Sequence, residues 1–159
     1  MIKTKRCLIK KFEEEHINFY HKLVTDRKVR KYLGGIPSES HIKRSISDFV
    51  NSTTNDYWVV QELKSEELIG FVSIDKSEKY EKNEISYEFL PKWWGQGYAK
   101  EVISEIIRYA FMKKNLDELI AITQSKNVKS RKLLDKVGMK RQTTEIMFGE
   151  EQSIYQIKK

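Results

Sequence analysis

Two glycines one residue apart mark the most informative stretch of the chain, KWWGQGYAKEV, at residues 92 to 102. Gly95 and Gly97 stand between a β-rich segment and the start of an amphipathic helix. The first N–H groups of a helix have no acceptor within the helix and carry about half a positive charge. Glycines before them let the chain turn tightly and let a bulky anion approach without meeting a Cβ atom. The stretch is therefore suited to hold a phosphate or pyrophosphate through main-chain donors, although many helix starts carry glycine only to turn.

A basic segment later in the chain is the second feature suited to an anionic ligand. Between Lys126 and Arg141 the sequence has seven basic residues and a single acid, Asp135. The whole chain carries 30 Lys and Arg against 23 Asp and Glu, a formal net charge of +7, which favours anionic partners. Such a partner is either a nucleic acid or a phosphorylated cofactor, and a solvated helix face is the plain alternative for at least half of these lysines. The Gly-x-x-x-x-Gly-Lys-Ser/Thr loop and the three-glycine dinucleotide fingerprint are both absent from the sequence.

The hydrophobic pattern predicts an α+β fold on a mixed, mostly antiparallel sheet of about six to seven strands with about four helices. The predicted element order is β-α-α-β-β-β-α-β-α-β-β. A cap at Ser38 or Ser40 starts the second helix, and a left-handed Gly138 closes the last one. Strands are predicted at residues 4–12, 57–61, 68–74, 83–90, 119–123, 140–148 and 153–158. Helices are predicted at residues 14–25, from the Ser cap to about 50, at 98–114 and at 128–137, with a further short helix within 26–32.

Length and composition indicate one domain over residues 1–159. No internal repeat or low-complexity linker divides the chain, and no apolar run is long enough for a membrane span or a signal peptide. The lone Cys7 cannot form an internal disulfide, which agrees with a cytoplasmic location, and a buried structural role is favoured over a reactive thiol. His16, His21 and His41 have no metal-ligand spacing, so no metal is expected, and the first two are expected on a helix surface.

Several segments, taken in this order, resemble the GCN5-related N-acetyltransferases (the GNAT family), closest in style to the branch of the ribosomal-protein N-terminal acetyltransferases. ISYEFLPKWWGQGYAKEV is similar to the family's fourth strand, phosphate loop and third helix. TKRCLIKKF resembles the opening strand, DRKVRKYLGG with PSESHIKRSISDF the helix pair, LIGFVSI the third strand, and NVKSRKLLDKVGMK the fifth-strand loop and fourth helix. The family's loop pattern, Arg/Gln-x-x-Gly-x-Gly/Ala, falls on residues 94 to 99, where Trp94 replaces the first Arg or Gln.

The resemblance implies acetyl-CoA as the acetyl donor and a primary amine as the acceptor, which attacks the thioester directly. The pantetheine arm of CoA would pair with the exposed edge of residues 88 to 90 as a short extra strand. Lys129 and Arg131 are the cations expected near the 3′-phosphate, and a backbone N–H of Phe89 or Leu90 would stabilise the oxyanion. The pyrophosphate would rest on the main-chain N–H groups of Gly95, Gln96, Gly97, Tyr98, Ala99 and Lys100.

Acetyl transfer to an amine also needs a group that takes a proton from that amine. Along the strand at residues 83–90, Glu84, Ser86 and Glu88 point to one face, so two carboxylates lie on the same side. Glu88 is the first candidate for the base or the amine-orienting group, and Glu84 is the second. The alternative is that both are surface carboxylates on a half-exposed strand.

Asn127 and Ser130 resemble the family's Asn-x-x-Ser at the start of the fourth helix. By this resemblance Asn127 would hydrogen-bond the cofactor arm and Ser130 would donate to the leaving thiolate, a role that a tyrosine fills in some relatives. The structural alternative makes Asn127 the N-cap of its helix and Ser130 an ordinary first-turn residue. Because a thiol with a pKa of about 8.5 is a fair leaving group, loss of Ser130 should slow transfer without abolishing it.

The acceptor is predicted to be a protein N-terminus or a small amine-bearing molecule such as an antibiotic or a polyamine, although the net charge of +7 disfavours a cationic polyamine. Two other classes of function stay open. A non-catalytic acyl-CoA-binding or regulatory protein would keep the glycine loop while Glu84, Glu88 and Ser130 were dispensable. A nucleic-acid-binding function is supported only by the excess of basic over acidic residues, since the sequence has no helix-turn-helix or RNP-type motif. The chain is expected to be a monomer or a homodimer without a membrane partner.

Overall fold

The computed structural model describes residues 1–159 and contains eight strands and five α-helices. The strands are β1 (Ile2–Lys3), β2 (Cys7–Lys11), β3 (Asp56–Glu62), β4 (Leu68–Lys76), β5 (Asn83–Phe89), β6 (Glu118–Gln124), β7 (Lys140–Met147) and β8 (Glu150–Lys158). The helices are α1 (Ile17–Val24), α2 (Arg27–Arg30), α3 (Glu39–Asn51), α4 (Tyr98–Met112) and α5 (Val128–Lys136). Two 3₁₀ turns lie at Glu14–His16 and Pro91–Trp93.

All eight strands belong to one sheet, in the order β1-β2-β3-β4-β5-β6-β8-β7. Neighbouring strands are antiparallel except β5 and β6, which are parallel and share a single register pair, Glu84 with Ile120. In contrast, β4 and β5 stay in register along their whole length, from Gly70 opposite Phe89 to Lys76 opposite Asn83. Beyond Glu84, the remainder of β5 is therefore paired on one side only, and its other edge is open.

Two separate cores hold the helices against the sheet. The larger core packs the apolar stripe of α4, which includes Val102, Ile103 and Ile106, against the sheet. The smaller core joins α1, α2 and α3 to β3 and β4. Aromatic rings dominate it, with mutual contacts among Phe12, Tyr20, Phe49, Tyr57 and Phe71. The sheet thus has α4 on one face and the N-terminal helices on the other.

The predicted α+β fold with a mixed, mostly antiparallel sheet is confirmed, with two corrections to the number of elements. The sheet has eight strands instead of six or seven, because the chain before Cys7 turns back and Ile2–Lys3 pairs with β2. The short helix predicted within residues 26–32 forms as α2, so there are five helices instead of four. The Asp26 side chain caps it by accepting the N–H groups of Lys28 and Val29.

The last hairpin also differs in its bounds from the prediction. β8 begins at Glu150, three residues before the predicted start at Ser153. Phe148 and Gly149 both have positive φ, so the chain reverses directly after β7 and pairing resumes at once. Ile146 and Phe148 are left exposed near the tip of this hairpin.

Two N-terminal residues test the predictions for single side chains. His16 was expected on a helix surface, and this is wrong: it is buried, its ring packs against Phe12, and its Nδ1 accepts the Glu13 N–H at 2.9 Å. Cys7 is buried in β2, as predicted, and burial raises the pKa of its thiol to about 11. No helix combines the length and the apolar character that crossing a membrane requires.

Candidate active site

The loop before α4 has a backbone conformation that glycine adopts without strain. Gly95 has φ +73° and Gly97 has φ +83°, both in the left-handed region. A Cβ atom added at Gly95 would meet no atom within 4 Å, whereas one added at Gly97 would lie 3.4 Å from Nη2 of Arg6. Backbone conformation therefore explains both glycines, and the surface in front of Gly95 is open to a bulky group.

The N–H groups of this loop and of the first turn of α4 have no acceptor in the protein. The first hydrogen bond of the helix runs from the Glu101 N–H to the Gly97 carbonyl, at 3.1 Å. The six consecutive N–H groups from Gly95 to Lys100 have neither a backbone nor a side-chain acceptor. Because the start of a helix also carries partial positive charge, this run of donors can bind a phosphate or a pyrophosphate.

The open edge of β5 leads directly into this loop. Just after β5 the Leu90 N–H donates to the Ile69 carbonyl of β4, at 2.9 Å. Because successive backbone groups of a strand point to alternate sides, the N–H and C=O of Phe89 lie on the opposite edge, where pairing with β6 has ended. Of the two N–H groups predicted to stabilise an oxyanion, the one of Leu90 is thus engaged in the sheet, and the one of Phe89 is at the open edge.

Trp94 lies against this same edge. Its Nε1–H donates to the Phe89 carbonyl at 2.7 Å, and Nζ of Lys129 lies 5.8 Å from the centroid of its ring. The side chain is 39% exposed, so the indole forms part of the surface between the edge of β5 and the start of α5. The residue that departs from the loop pattern thus contributes a donor of its own.

A pair of hydroxyl groups lies on the α4 face of β5. The Tyr87 hydroxyl and the Ser130 Oγ are 2.7 Å apart, and either can be the donor. Asn127 caps α5, since its Oδ1 accepts the Ser130 N–H at 3.2 Å. Burial raises the pKa of Tyr87 to about 12, so its hydroxyl stays protonated at neutral pH. The pair can therefore donate a proton to an atom bound beside it.

Glu88 lies on the opposite face of β5, next to the open edge. Its Oε1 accepts from Nη1 of Arg30 at 2.6 Å, and the two side chains are only 11% and 20% exposed. Arg30 also donates to the carbonyls of Leu33 and Gly35, at 2.6 and 2.9 Å. Burial raises the pKa of Glu88, and the neighbouring Arg30 opposes this shift. The ion pair therefore joins β5 to the loop after α2.

Glu84 shares the face of Glu88 but has a different environment. It stands opposite Asp75 of β4 in the register and forms no hydrogen bond through its side chain with another protein group. Burial, followed by the charge of Asp75, raises the pKa of Glu84 to about 7. Four residues along a strand separate Glu84 from Glu88, a span of roughly 13 Å. The structure thus puts the two predicted carboxylates on one face but does not bring them together.

Comparison with known sequences identifies the family of the chain. The family described as "Acetyltransferase (GNAT) domain" matches residues 6–140. The chain is 31% identical over 143 residues to "Uncharacterized N-acetyltransferase YnaD" of Bacillus subtilis (strain 168). This alignment covers 89% of this chain and 83% of the relative. The chain belongs to the GNAT acetyltransferase family. The predicted family, and with it the class of acetyl-CoA-dependent acetyltransferases, is confirmed.

Solved structures of GNAT proteins share this architecture. An acetyltransferase (GNAT family) from Bacillus anthracis has a TM-score of 0.86 at 26% identity and covers 99% of this chain and 97% of its own. Spermidine N-acetyltransferase from Vibrio cholerae, solved in complex with CoA and spermine, has a TM-score of 0.83 at 19% identity, with 96% and 95% coverage. At that identity the second likeness shows the fold alone.

The residues of this GNAT enzyme fit the cofactor of the family. The run of free N–H groups suits a diphosphate, and the open surface before Gly95 leaves room for it. Lys129 is exposed beside Trp94, so its charge is accessible to an anionic ligand at this surface. Arg131 is half-buried instead, and its Nη1 donates to the Ser125 carbonyl at 2.9 Å. Lys126 pairs with Glu150 on the surface. The three basic residues therefore differ: Lys129 is accessible to a ligand, whereas Arg131 and Lys126 are engaged with other protein groups.

Sequence reasoning missed three residues that contact this site. Arg30 is one of four basic residues between positions 27 and 31, and nothing in the sequence distinguishes it from the others. Arg6 lies far away in the chain, and it contacts Gln96 only because β2 and α4 are packed together. The pairing of Tyr87 with Ser130 could have been predicted from the sequence, because strand alternation places Tyr87 on the face opposite Glu88.

Proposed function

We propose that this GNAT enzyme transfers the acetyl group of acetyl-CoA to a primary amine by direct attack of the amine on the thioester. One observation carries the proposal: the run of unpartnered N–H groups from Gly95 to Lys100 follows the open edge of β5 after a single 3₁₀ turn. We assign the diphosphate to these donors and the pantetheine arm to the open edge of β5, where Trp94 already donates to the Phe89 carbonyl. Glu88 and Tyr87 project from the two faces of that edge, so a group bound along it is accessible to both.

The carboxylate face of β5 is assigned to the acceptor amine. An amine with a pKa near 10 is mostly protonated at neutral pH and must lose a proton before it can act as a nucleophile. Glu88 lies next to the open edge and attracts an ammonium group or accepts its proton. Glu84, with a pKa of about 7, is well matched to accept a proton at neutral pH, but its position requires a chain of water molecules between it and the amine.

The pH dependence of kcat/KM separates these two carboxylates. A base acts in its ionised form, so activity falls as the pH drops through the pKa of the acting group. If Glu84 is the base, Glu84→Gln removes an acid limb near pH 7, whereas Glu88→Gln changes the rate without removing that limb. The reverse result identifies Glu88. A wild-type profile retained in both variants would remove both carboxylates from the role of base.

The hydroxyl pair is assigned to the leaving group. When the amine nitrogen bonds to the acetyl carbon and the C–S bond breaks, the sulfur needs a proton. Ser130 and Tyr87 are 2.7 Å apart, so either hydroxyl can donate that proton while the other supports it. The Phe89 N–H is the backbone group that we assign to the oxyanion, since the Leu90 N–H is engaged with Ile69.

The acceptor is proposed to be a protein N-terminal amine or a small amine-bearing molecule, and the resemblance of several sequence segments to the ribosomal-protein N-terminal acetyltransferases supports the first. The structural neighbour from Vibrio cholerae acts on spermidine by its name, but this chain's charge of +7 is unfavourable for a polyamine. A thiol-release assay with acetyl-CoA and a panel of peptides, aminoglycosides and polyamines tests the proposal. Turnover on at least one amine is expected. Binding of acetyl-CoA without turnover on any of them would favour the non-catalytic acyl-CoA-binding alternative.

Cellular location and oligomeric state are proposed from the sequence and from the burial of Cys7. The lone buried Cys7 agrees with a reducing compartment, and we propose the cytoplasm. A monomer or a homodimer is expected, which sedimentation measurements on the purified chain would decide.

A further inference from the structure

Arg6 reaches the loop before α4 from a distant part of the chain. It lies just before β2, and its Nη1 donates to the Gln96 carbonyl at 3.0 Å. Its Nε donates to Oε2 of Glu101 at 2.7 Å, and its Cζ lies 4.0 Å from the centroid of the Tyr98 ring. One guanidinium thus contacts the loop, the first turn of α4 and the aromatic ring between them. Such a planar group with several fixed donors cannot be replaced by the single ammonium of lysine without loss.

The bond to Gln96 fixes the direction of a donor in the loop. In a planar trans peptide the C=O of one residue and the N–H of the next point in opposite directions. Since the Gln96 carbonyl points toward Arg6, the Gly97 N–H points away from it, to the side where the loop has no protein acceptor. The same contact fixes the orientation of the Gln96–Gly97 peptide. This peptide lies in the loop whose two glycines, Gly95 and Gly97, both have positive φ.

Glu101 keeps Arg6 in this position. Its Oε1 accepts from the Thr4 hydroxyl at 2.6 Å and from the Arg6 N–H at 2.7 Å, while Oε2 accepts from Nε of Arg6. Burial acts to raise the pKa of Glu101, but these hydrogen bonds together outweigh it and lower the pKa, so the carboxylate is ionised at neutral pH. Because Glu101 neutralises the charge of Arg6, the orientation of the loop is the larger contribution of Arg6, and direct attraction of an anion is the smaller one.

We infer that Arg6 is a positioning residue for the diphosphate site, which it serves by orienting the Gln96–Gly97 peptide. The inference depends on the proposed function, because the diphosphate is that of acetyl-CoA. Arg6 does not touch the reacting atoms, so its loss should weaken the binding of the donor and leave the chemical step intact. A donor that lacks the diphosphate should not respond to Arg6 at all.

The experiment compares two donors in three variants. Acetyl-CoA carries the diphosphate, whereas S-acetylpantetheine presents the same thioester and arm without it. Arg6→Met should lower kcat/KM for acetyl-CoA by about tenfold, as expected when a hydrogen bond that organises a charged site is lost. It should leave kcat/KM for S-acetylpantetheine and the KM for the amine unchanged. Arg6→Lys should recover part of the loss, because an ammonium reaches Gln96 or Glu101 but cannot copy both contacts.

Arg108→Met is the matched control. Arg108 also pairs with a carboxylate on α4, since its Nη2 lies 2.5 Å from Oε1 of Glu105, but it is exposed and outside the loop. This variant should retain wild-type kcat/KM with both donors. Thermal unfolding of all variants shows whether they are folded, and if Arg6→Met is not, the ratio of the two donors in Arg6→Lys decides.

The outcomes separate the inference from the proposed function. A selective loss with acetyl-CoA supports the positioning role. An equal loss with both donors, or no loss with either, overturns it while the wild type still uses acetyl-CoA. A wild type that neither binds nor uses acetyl-CoA would overturn the proposed function and, with it, this inference.

Discussion

The loop before α4 and the carboxylate face of β5 are built in different ways. The loop presents consecutive backbone donors, and its shape depends on Gly95 and Gly97, both with positive φ. The carboxylate face presents two side chains whose pKa values are raised by burial and then adjusted by charges on other elements: Arg30 opposes the shift for Glu88, and Asp75 adds to it for Glu84. In the proposed assignment, binding of acetyl-CoA depends on the backbone conformation of the loop, which Arg6 also orients, whereas the chemistry of the acceptor amine depends on electrostatics across the fold. Mutations at the two regions should affect different kinetic constants.

The largest effect is expected at the carboxylate face. Glu88→Gln should lower kcat/KM for the amine by roughly 100- to 10,000-fold, the range for general acid–base catalysis, with little change in the Kd of acetyl-CoA. Steady-state kinetics and calorimetry measure the two constants. Glu105→Gln is the control, because Glu105 also pairs with an arginine but lies outside the site. If Glu88→Gln weakened acetyl-CoA binding as strongly as turnover, the two regions would not be separable.

A valine in the loop should instead affect mainly the binding of acetyl-CoA. Gly95→Val adds a branched side chain at φ +73°, a conformation that costs a non-glycine residue about 1–2 kcal/mol, and places it on the open surface before the donors. We expect the Kd of acetyl-CoA to rise roughly 100-fold, because strain and steric exclusion act together.

Gly149→Val is the matched test of this explanation. Gly149 also has a left-handed φ, +76°, and an added Cβ would meet nothing within 4 Å, but it lies in the β7–β8 turn. Its replacement should lower the melting temperature and leave the affinity for acetyl-CoA intact. Equal losses of affinity in both variants would show that backbone strain alone is responsible.

A smaller effect is expected at the hydroxyl pair, which lies on the face of β5 opposite the carboxylates. Ser130→Ala and Tyr87→Phe should each lower kcat by about tenfold or less, because a thiolate leaves readily and needs only modest help from an acid. Since the two oxygens are 2.7 Å apart, the double variant should lose less than the product of the single losses. A complete loss of activity in either single variant would make that residue essential, in disagreement with this account.

The smallest effect concerns stability and sharpens the account of Glu84. Its pKa is about 7 in the folded protein, against roughly 4.3 in the unfolded chain. The folded state therefore retains a proton that the unfolded state releases, and the stability from this group is complete below the unfolded pKa and lost as the pH rises through 7. The gain in free energy of unfolding on replacing Glu84 by Gln (Glu84→Gln) should thus be larger at pH 8 than at pH 5, by about 1–2 kcal/mol at this partly exposed site. Chemical unfolding at the two pH values measures the difference, and equal effects at both would contradict the raised pKa.

The sequence was sufficient for features that depend on neighbouring residues. The Gly95–Gly97 pair, the alternation along β5 and the cap at Asn127 follow from local periodicity and turn chemistry, and the structure contains all three. The extra strand β1 was not foreseen, since a two-residue strand has too few residues to show a period.

Features that depend on distant contacts could not be predicted. The pairing of Glu88 with Arg30 and the contact of Arg6 with Gln96 join segments more than fifty residues apart, so no spacing in the sequence encodes them. His16 was misplaced although Phe12 is only four residues away, because Phe12 itself belongs to a core that more distant helices and strands complete. Such contacts set the ionisation of the carboxylates, which is why sequence alone left the choice between Glu84 and Glu88 open.

The most direct test follows the backbone amides themselves. In ¹H–¹⁵N correlation spectra, titration with CoA should shift the amide signals of Gly95 to Lys100 more than any others, while those of Leu33 to Gly35 in the loop after α2 stay nearly unchanged. That pattern would show that these donors hold the diphosphate. CoA binding that leaves the amides of residues 95 to 100 unshifted, or no binding at all, would contradict the account.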